Sequence, residues 1–234
     1  MTPATHRMFA VCSQREPSRL RSARAARAAR VPPECDASAA QSPCRRQHLV
    51  VGRFAEDDFT LYDLLAPDTH QFAITYDVTT SREGAELFFN PIRPGSVATK
   101  ERVIARATGK ELPFEVVSGK EAKTSGLLSD KTADDEQFIR VHLPAPVPKG
   151  GDTRIRIFKT YTDAASYFVK DGRLVFTRPL GIKRNVVLLP KGWELIECAS
   201  PGIISTDADG RVRVSFLNDR DDQLPVKIAA RRLP

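Results

Sequence analysis

From His70 onward, apolar and polar side chains alternate with a period of two. In "HQFAITYDVTT", Phe72, Ile74, Tyr76 and Val78 share one face, while Gln71, Ala73, Thr75 and Asp77 share the other. That spacing marks a strand buried on one side. "FIRVHLP" repeats it with Ile139, Val141 and Leu143, and "TRIRIFK" with Ile155 and Ile157. "RVRVSF" places Val212, Val214 and Phe216 inside, and "PVKIAAR" closes the series with Val226, Ile228 and Ala230. Asp171-Gly172 and Asp209-Gly210, each between alternating segments, predict two-residue hairpins, because both turn positions need positive φ. Prolines gather at segment ends, where strands stop or edges are blunted.

Two segments break this rhythm. In residues 54–69, Asp57 and Asp58 precede Leu61, Leu64 and Leu65 at helical spacing, so a linker or one short helix is expected there. Residues 118–137 are polar and poor in large apolar side chains, and read as a long exposed loop. The fold class that follows is all-β: an antiparallel β-sandwich, immunoglobulin-like or saddle-like, over residues 70–234. Trp193 is expected to anchor its core.

Charge adds a boundary. The 234-residue chain has a net charge of +7, and residues 1–53 hold all of it, with ten Arg against three acidic side chains. This Arg/Ala-rich segment reads as a disordered tail without an apolar face to dock. Basic and acidic side chains balance over residues 54–234, so no positive field draws that body to nucleic acid or anionic lipid. No apolar run approaches the roughly 18 residues that a membrane-spanning helix needs. Cys12, Cys35, Cys44 and Cys198 form no CxxC pair, so neither a zinc ribbon nor a disulfide scaffold is indicated.

The order of strands over residues 70 to 200 resembles the N-terminal β domain of aminopeptidase N-like zinc peptidases. The matching text is "F-x-I-x-Y-x-V" at residues 72–78, the apolar strand ending "LPAPVPKG" at residues 139–150, "I-x-I" at Ile155 and Ile157, and "LPKGWELIECASP". "YDVTTSREGAELFFNPIRPGSV" with "RPLGIKRNVVLLPKGWEL" also looks like a bacterial exported β-domain with no attached activity. The resemblance implies a fold; the all-β pattern and neutral body point to an extracytoplasmic address (periplasmic or secreted), although no export signal is visible. The resemblance does not imply the peptidase's chemistry: His6, His48, His70 and His142 are isolated, and none begins the HExxH helix that would place two imidazoles beside a general base.

Other catalytic signatures are missing from the sequence, including GxGxxG, GxxxxGK[ST] and GxSxG. No catalytic residue, metal or cofactor is therefore named. Carboxylate clusters such as Asp134-Asp135-Glu136 and Asp219/Asp221/Asp222 read as solvated loop charge. "DADG" at residues 207–210 lacks the remaining calcium ligands. The densest exposed constellation is Tyr161, Asp163, Tyr167, Arg178, Lys183, Arg184 and Asn185, which mixes aromatic, cationic and amide groups of the kind that hold anionic or carbohydrate ligands. The plainer reading has Tyr161 and Tyr167 in the sandwich and residues 183–185 as a basic turn. The leading expectation is a non-enzymatic β-sandwich module binding a protein or carbohydrate partner. One alternative is an accessory or remnant β domain of a metallopeptidase-like system; another is a hydrolase using Asp163 or His142 with the turn at residues 183–185.

Overall fold

The computed structural model describes residues 58–234; the Arg/Ala-rich tail expected over residues 1–53 lies outside the described residues. The strands are β1 (Phe59–Leu64), β2 (Gln71–Thr80), β3 (Leu87–Ile92), β4 (Val97–Ala105), β5 (Phe114–Ser118), β6 (Gln137–His142) and β7 (Thr153–Thr162). They continue as β8 (Tyr167–Lys170), β9 (Arg173–Leu180), β10 (Arg184–Leu188), β11 (Trp193–Cys198), β12 (Ile203–Thr206), β13 (Val212–Leu217) and β14 (Leu224–Arg232). A short α-helix, α1 (Gly119–Lys123), follows β5. No helix among the described residues is long and apolar enough to cross a membrane.

Three sheets result, ordered β12-β13-β10-β1-β2-β7-β4, β11-β14-β9-β8 and β3-β6-β5. The first two face each other as a β-sandwich. Phe176 of the four-stranded sheet packs edge-on against Phe72 of the seven-stranded one at 5.6 Å between ring centroids, and lies tilted against Tyr62 at 5.8 Å. Ile92, Ile139 and Val141 carry the three-stranded sheet into the same core. Each fully buried side chain of this kind contributes about 1.5–3 kcal/mol. The alternation read from sequence is the burial seen in β2, where Phe72, Ile74 and Val78 are buried. Among the described strands β1 pairs with β10 in parallel, whereas its other neighbour, β2, is antiparallel.

Residues 59–64 correct an expectation: they form a strand, not a helix. Leu61 and Leu64 have helical spacing, but Thr60, Tyr62 and Leu64 are the buried set, with period two. Docking between β10 and β2 satisfies both edges of this segment. Tertiary context thereby overrides the weak helical pattern.

Residues 118–137 are largely the exposed connection expected, but they begin with a capped helical turn and tuck a few side chains inward. Ser118 and Glu121 form a capping box. The Ser118 hydroxyl accepts from Glu121 N–H at 3.2 Å, and the Glu121 carboxylate accepts from Ser118 N–H at 3.0 Å. Ala122 is buried, and Leu127 and Leu128 pack on a small cluster of Phe89, Val117 and Phe138. Only glycine fits at 119, because a Cβ there would meet the Ala133 carbonyl oxygen at 2.0 Å.

The Asp171-Gly172 hairpin is as expected, with φ of 51° and 71° and Lys170 paired to Arg173. At Asp209-Gly210 only Gly210 has positive φ, at 83°. There Asp207 N–H donates to Arg211 O at 2.8 Å. That bond closes a three-residue tip in place of the two-residue turn expected from the dipeptide. Trp193 is half-buried against the core.

Candidate functional site

A cleft of about 450 Å³ opens where the three sheets meet. Its floor follows from strand register. Tyr62 of β1 pairs with Ile74 of β2, which pairs with Lys159 of β7, so these three form one inward-facing row. Thr60 and Tyr76 form the row on one side, and Tyr161 belongs to the row on the other. Arg178 of β9 enters from the four-stranded sheet, and residues 90–94, after the middle of β3, close a third side.

Lys159 occupies an apolar position. Ile155, Ile157, Lys159 and Tyr161 share the inner face of β7, and Lys159 is only 6% exposed. Its Nζ donates to Asn90 Oδ1 at 2.5 Å and lies 4.9 Å from the Tyr161 ring centroid. Burial, reinforced by the nearby Arg178 charge and opposed by Glu101, lowers this amine to about 7. Opposite Lys159 the partner strand bulges: Thr99 pairs with Thr160 and Arg102 with Phe158, leaving Lys100 and Glu101 across from one residue. Lys100 has a φ of 56°. This left-handed conformation costs a non-glycine residue about 1 kcal/mol or more. Bulges of this sort cluster beside functional sites.

Arg178 reaches the cleft by the same logic. Leu174, Phe176, Arg178 and Leu180 are the buried set of β9. The guanidinium carbon lies 5.3 Å from the Tyr161 ring and 5.4 Å from that of Phe72. Its Nη1 donates to Asp163 Oδ2 at 3.0 Å. Asp163 also accepts from Ser166 N–H at 3.0 Å, from the Ser166 hydroxyl at 2.7 Å and from the Ser96 hydroxyl at 3.0 Å. Burial pushes this carboxyl upward, but those hydrogen bonds and the Arg178 charge outweigh it and hold it below the usual range.

The structure divides the seven residues singled out from sequence. Tyr161, Asp163, Tyr167 and Arg178 are buried: the two tyrosines pack in the sandwich as the plainer reading has them, and Asp163 and Arg178 correct the expectation of an exposed constellation. Tyr161 and Arg178 line the cleft, and Asp163 stands behind Arg178. Tyr167 is a packing residue whose hydroxyl donates to Leu65 O at 2.7 Å. Lys183 and Arg184 do not line the cleft; Arg184 and buried Asn185 border a separate depression with Phe59 and Ile203. Asn185 Nδ2 donates to Ile182 O at 2.6 Å. His142 is on the three-stranded sheet, 3.0 Å from Glu115, away from Asp163 and residues 183–185. Sequence reasoning missed Lys159 and Asn90. The lysine was signalled by its phase with Ile155 and Ile157; nothing marked the asparagine.

No protein-family model and no curated protein matches the chain. Among solved structures, it is similar to an M1 zinc metallopeptidase from Deinococcus radiodurans, with a TM-score of 0.45 and 12% identity over 74% of this chain and 40% of that one. A mutant of that enzyme bound to a Tyr-Ser-Ala substrate matches with a TM-score of 0.45 and 13% identity, over 74% of this chain and 41% of that one. These are zinc peptidases of the class that the strand pattern resembles. The chain spans about two fifths of their length.

Proposed function

We propose that this protein is a binding module whose three-sheet cleft receives a small ligand through a carboxylate, presented by a free acid or by an acidic sugar. The observation that carries the reading is the placing of two buried cations, Lys159 and Arg178, against one tyrosine ring that lines the cleft. Buried cations are ordinarily matched by anions. Arg178 has Asp163, but Lys159 has a neutral amide. An incoming carboxylate held between Lys159 and Arg178 would supply the missing charge, while the phenol rings and Asn90 offer the apolar and polar contacts that orient a ligand.

Calorimetric titration of the full chain with lactate and glucuronate, against uncharged glucose, tests this. Saturable binding of the acids without glucose binding is expected. A charge-assisted hydrogen bond is worth about 1.5–3 kcal/mol, so Lys159→Met should weaken the acids about 10- to 100-fold at pH 6. Affinity in the unaltered chain should fall as pH rises through about 7, where Lys159 loses its proton. Equal affinity for glucose and glucuronate, or no binding of any of the three, would end the proposal.

A further inference from the structure

Lys159 combines features that seldom occur together in a lysine. It is buried on the floor of a cleft that a small molecule can enter, and one N–H is tied down by Asn90. A neutral amine held in this way retains its lone pair. A second cation, Arg178, lies on the same tyrosine ring. Its hydrogen bonds to Asp163 and Ser166 both engage Nη1, and the Tyr62 hydroxyl is a further partner. A guanidinium has five N–H donors, so it can hold a further carboxylate. Across the strand pair, a bulge with a left-handed lysine widens the ladder beside it.

We propose that Lys159 forms a reversible imine with the carbonyl of an oxo acid whose carboxylate rests on Arg178. This rests on the reading of the cleft as a carboxylate site. The Nζ lone pair attacks the carbonyl carbon, forming the C–N bond, while the C=O π pair moves to oxygen and is protonated. The resulting carbinolamine then loses its hydroxyl with a proton from nitrogen, as one water. The net exchange is amine plus carbonyl for imine plus water, with no change of oxidation state. Desolvation beside another cation is how lysines become nucleophilic near neutral pH. The charged groups around the amine are Arg178 on β9, Glu101 in the β4 bulge, Arg93 after β3 and Glu136 before β6. Burial raises Tyr62, Tyr76 and Tyr161, so these phenols stay protonated at neutral pH.

The test exposes the full chain to pyruvate or levulinate with sodium borohydride, which reduces an imine to a stable secondary amine, and maps the product by peptide mass spectrometry. About one adduct per chain at Lys159 is expected, and Lys159→Arg, which keeps the charge but not the nucleophile, should lack it. Labelling should level off above about pH 7 rather than climb toward about pH 10 as it does for an exposed lysine. Lactate has the carboxylate without the ketone and separates the two readings. If lactate binds but pyruvate and levulinate leave no adduct at Lys159, the imine is refuted and the carboxylate site stands. If the acids do not bind at all, both fall, and label spread over surface lysines also refutes the imine.

Discussion

Arg178 and Lys159 stand on facing sheets, similarly buried at 7% and 6% exposure, and touch the same tyrosine ring. The fold treats them in opposite ways. Around Arg178 it builds a carboxylate, two serine hydroxyls and a tight turn, all converging on Asp163. Around Lys159 it supplies one amide oxygen, a ring face and open cleft. Guanidinium cannot shed its proton within the working range, so its burial requires an anion. An ammonium can, and desolvation takes that route when its hydrogen-bond partner is a neutral amide. One side of the cleft is thus a fixed charge and the other a titrating one, which suits a site that holds a carboxylate firmly and treats a second group chemically.

The largest effect should come from breaking the fixed side. Asp163→Ala strands the Arg178 charge together with the Ser96 and Ser166 donors, and should cost about 3–5 kcal/mol in urea unfolding. Asp163→Asn keeps an acceptor and should cost less. A loss under about 1 kcal/mol for the alanine variant, the range of a solvated pair, would show that Arg178 is hydrated through the cleft. The contrast would then disappear.

The titrating side predicts a slope. The folded value of Lys159 is about 7, against 10.5 for the free side chain, so between these limits the unfolded chain binds the extra proton. Stability from this residue is therefore fully present above 10.5, falls as pH drops and is lost below about 7. Across that window it changes by about 1.4 kcal/mol per pH unit. Lys159→Met should remove the slope across the lower part of the window, and the difference between the variants should be greatest at about pH 6. Near the upper limit the buried tyrosines reverse the trend, because their raised folded values favour the unfolded chain once its phenols ionise. Parallel stability curves for the two proteins would mean that Lys159 keeps its proton.

Much of this contrast was legible in the chain itself. Alternation located β2, β6, β7, β13 and β14, and Asp171-Gly172 fixed its hairpin. The same alternation assigns Lys159 and Arg178 to the inside, since each continues an apolar phase; reading charge as exposure overrode that pattern. Other features carried no mark. Phe89 and Asn90 are consecutive and both buried because β3 faces core on both sides, which erases a period of two. The β4 bulge is hidden because a lysine, not a glycine, takes the left-handed position. In β1, a helical leucine spacing masked a strand whose partners come from distant sequence.

The outer face of β7 supplies a control for burial. Asp77 and Arg156 are directly paired across β2 and β7, and Arg156 donates to both carboxylate oxygens at 2.5 and 2.6 Å. This bidentate pair is partly solvated, so Asp77→Asn should cost only about 1 kcal/mol, well below the Asp163 change. Equal costs would mean that bidentate geometry, not desolvation, sets the worth of both pairs.

The smallest effect concerns the bulge opposite Lys159. Lys100→Gly relieves the left-handed strain at φ 56°. Glycine also gives the unfolded chain more freedom, so the two terms largely cancel, and a net stabilisation of about 0.5 kcal/mol is expected. It should be visible as a slight rise in Tm. Because Lys100 is exposed and the bulge is a backbone feature, the pH slope of Lys159 should survive the substitution unchanged. A flattened slope would show that the Lys100 side chain helps to exclude water from the amine, moving part of the lysine's depressed titration from the cleft floor to the edge of the sheet.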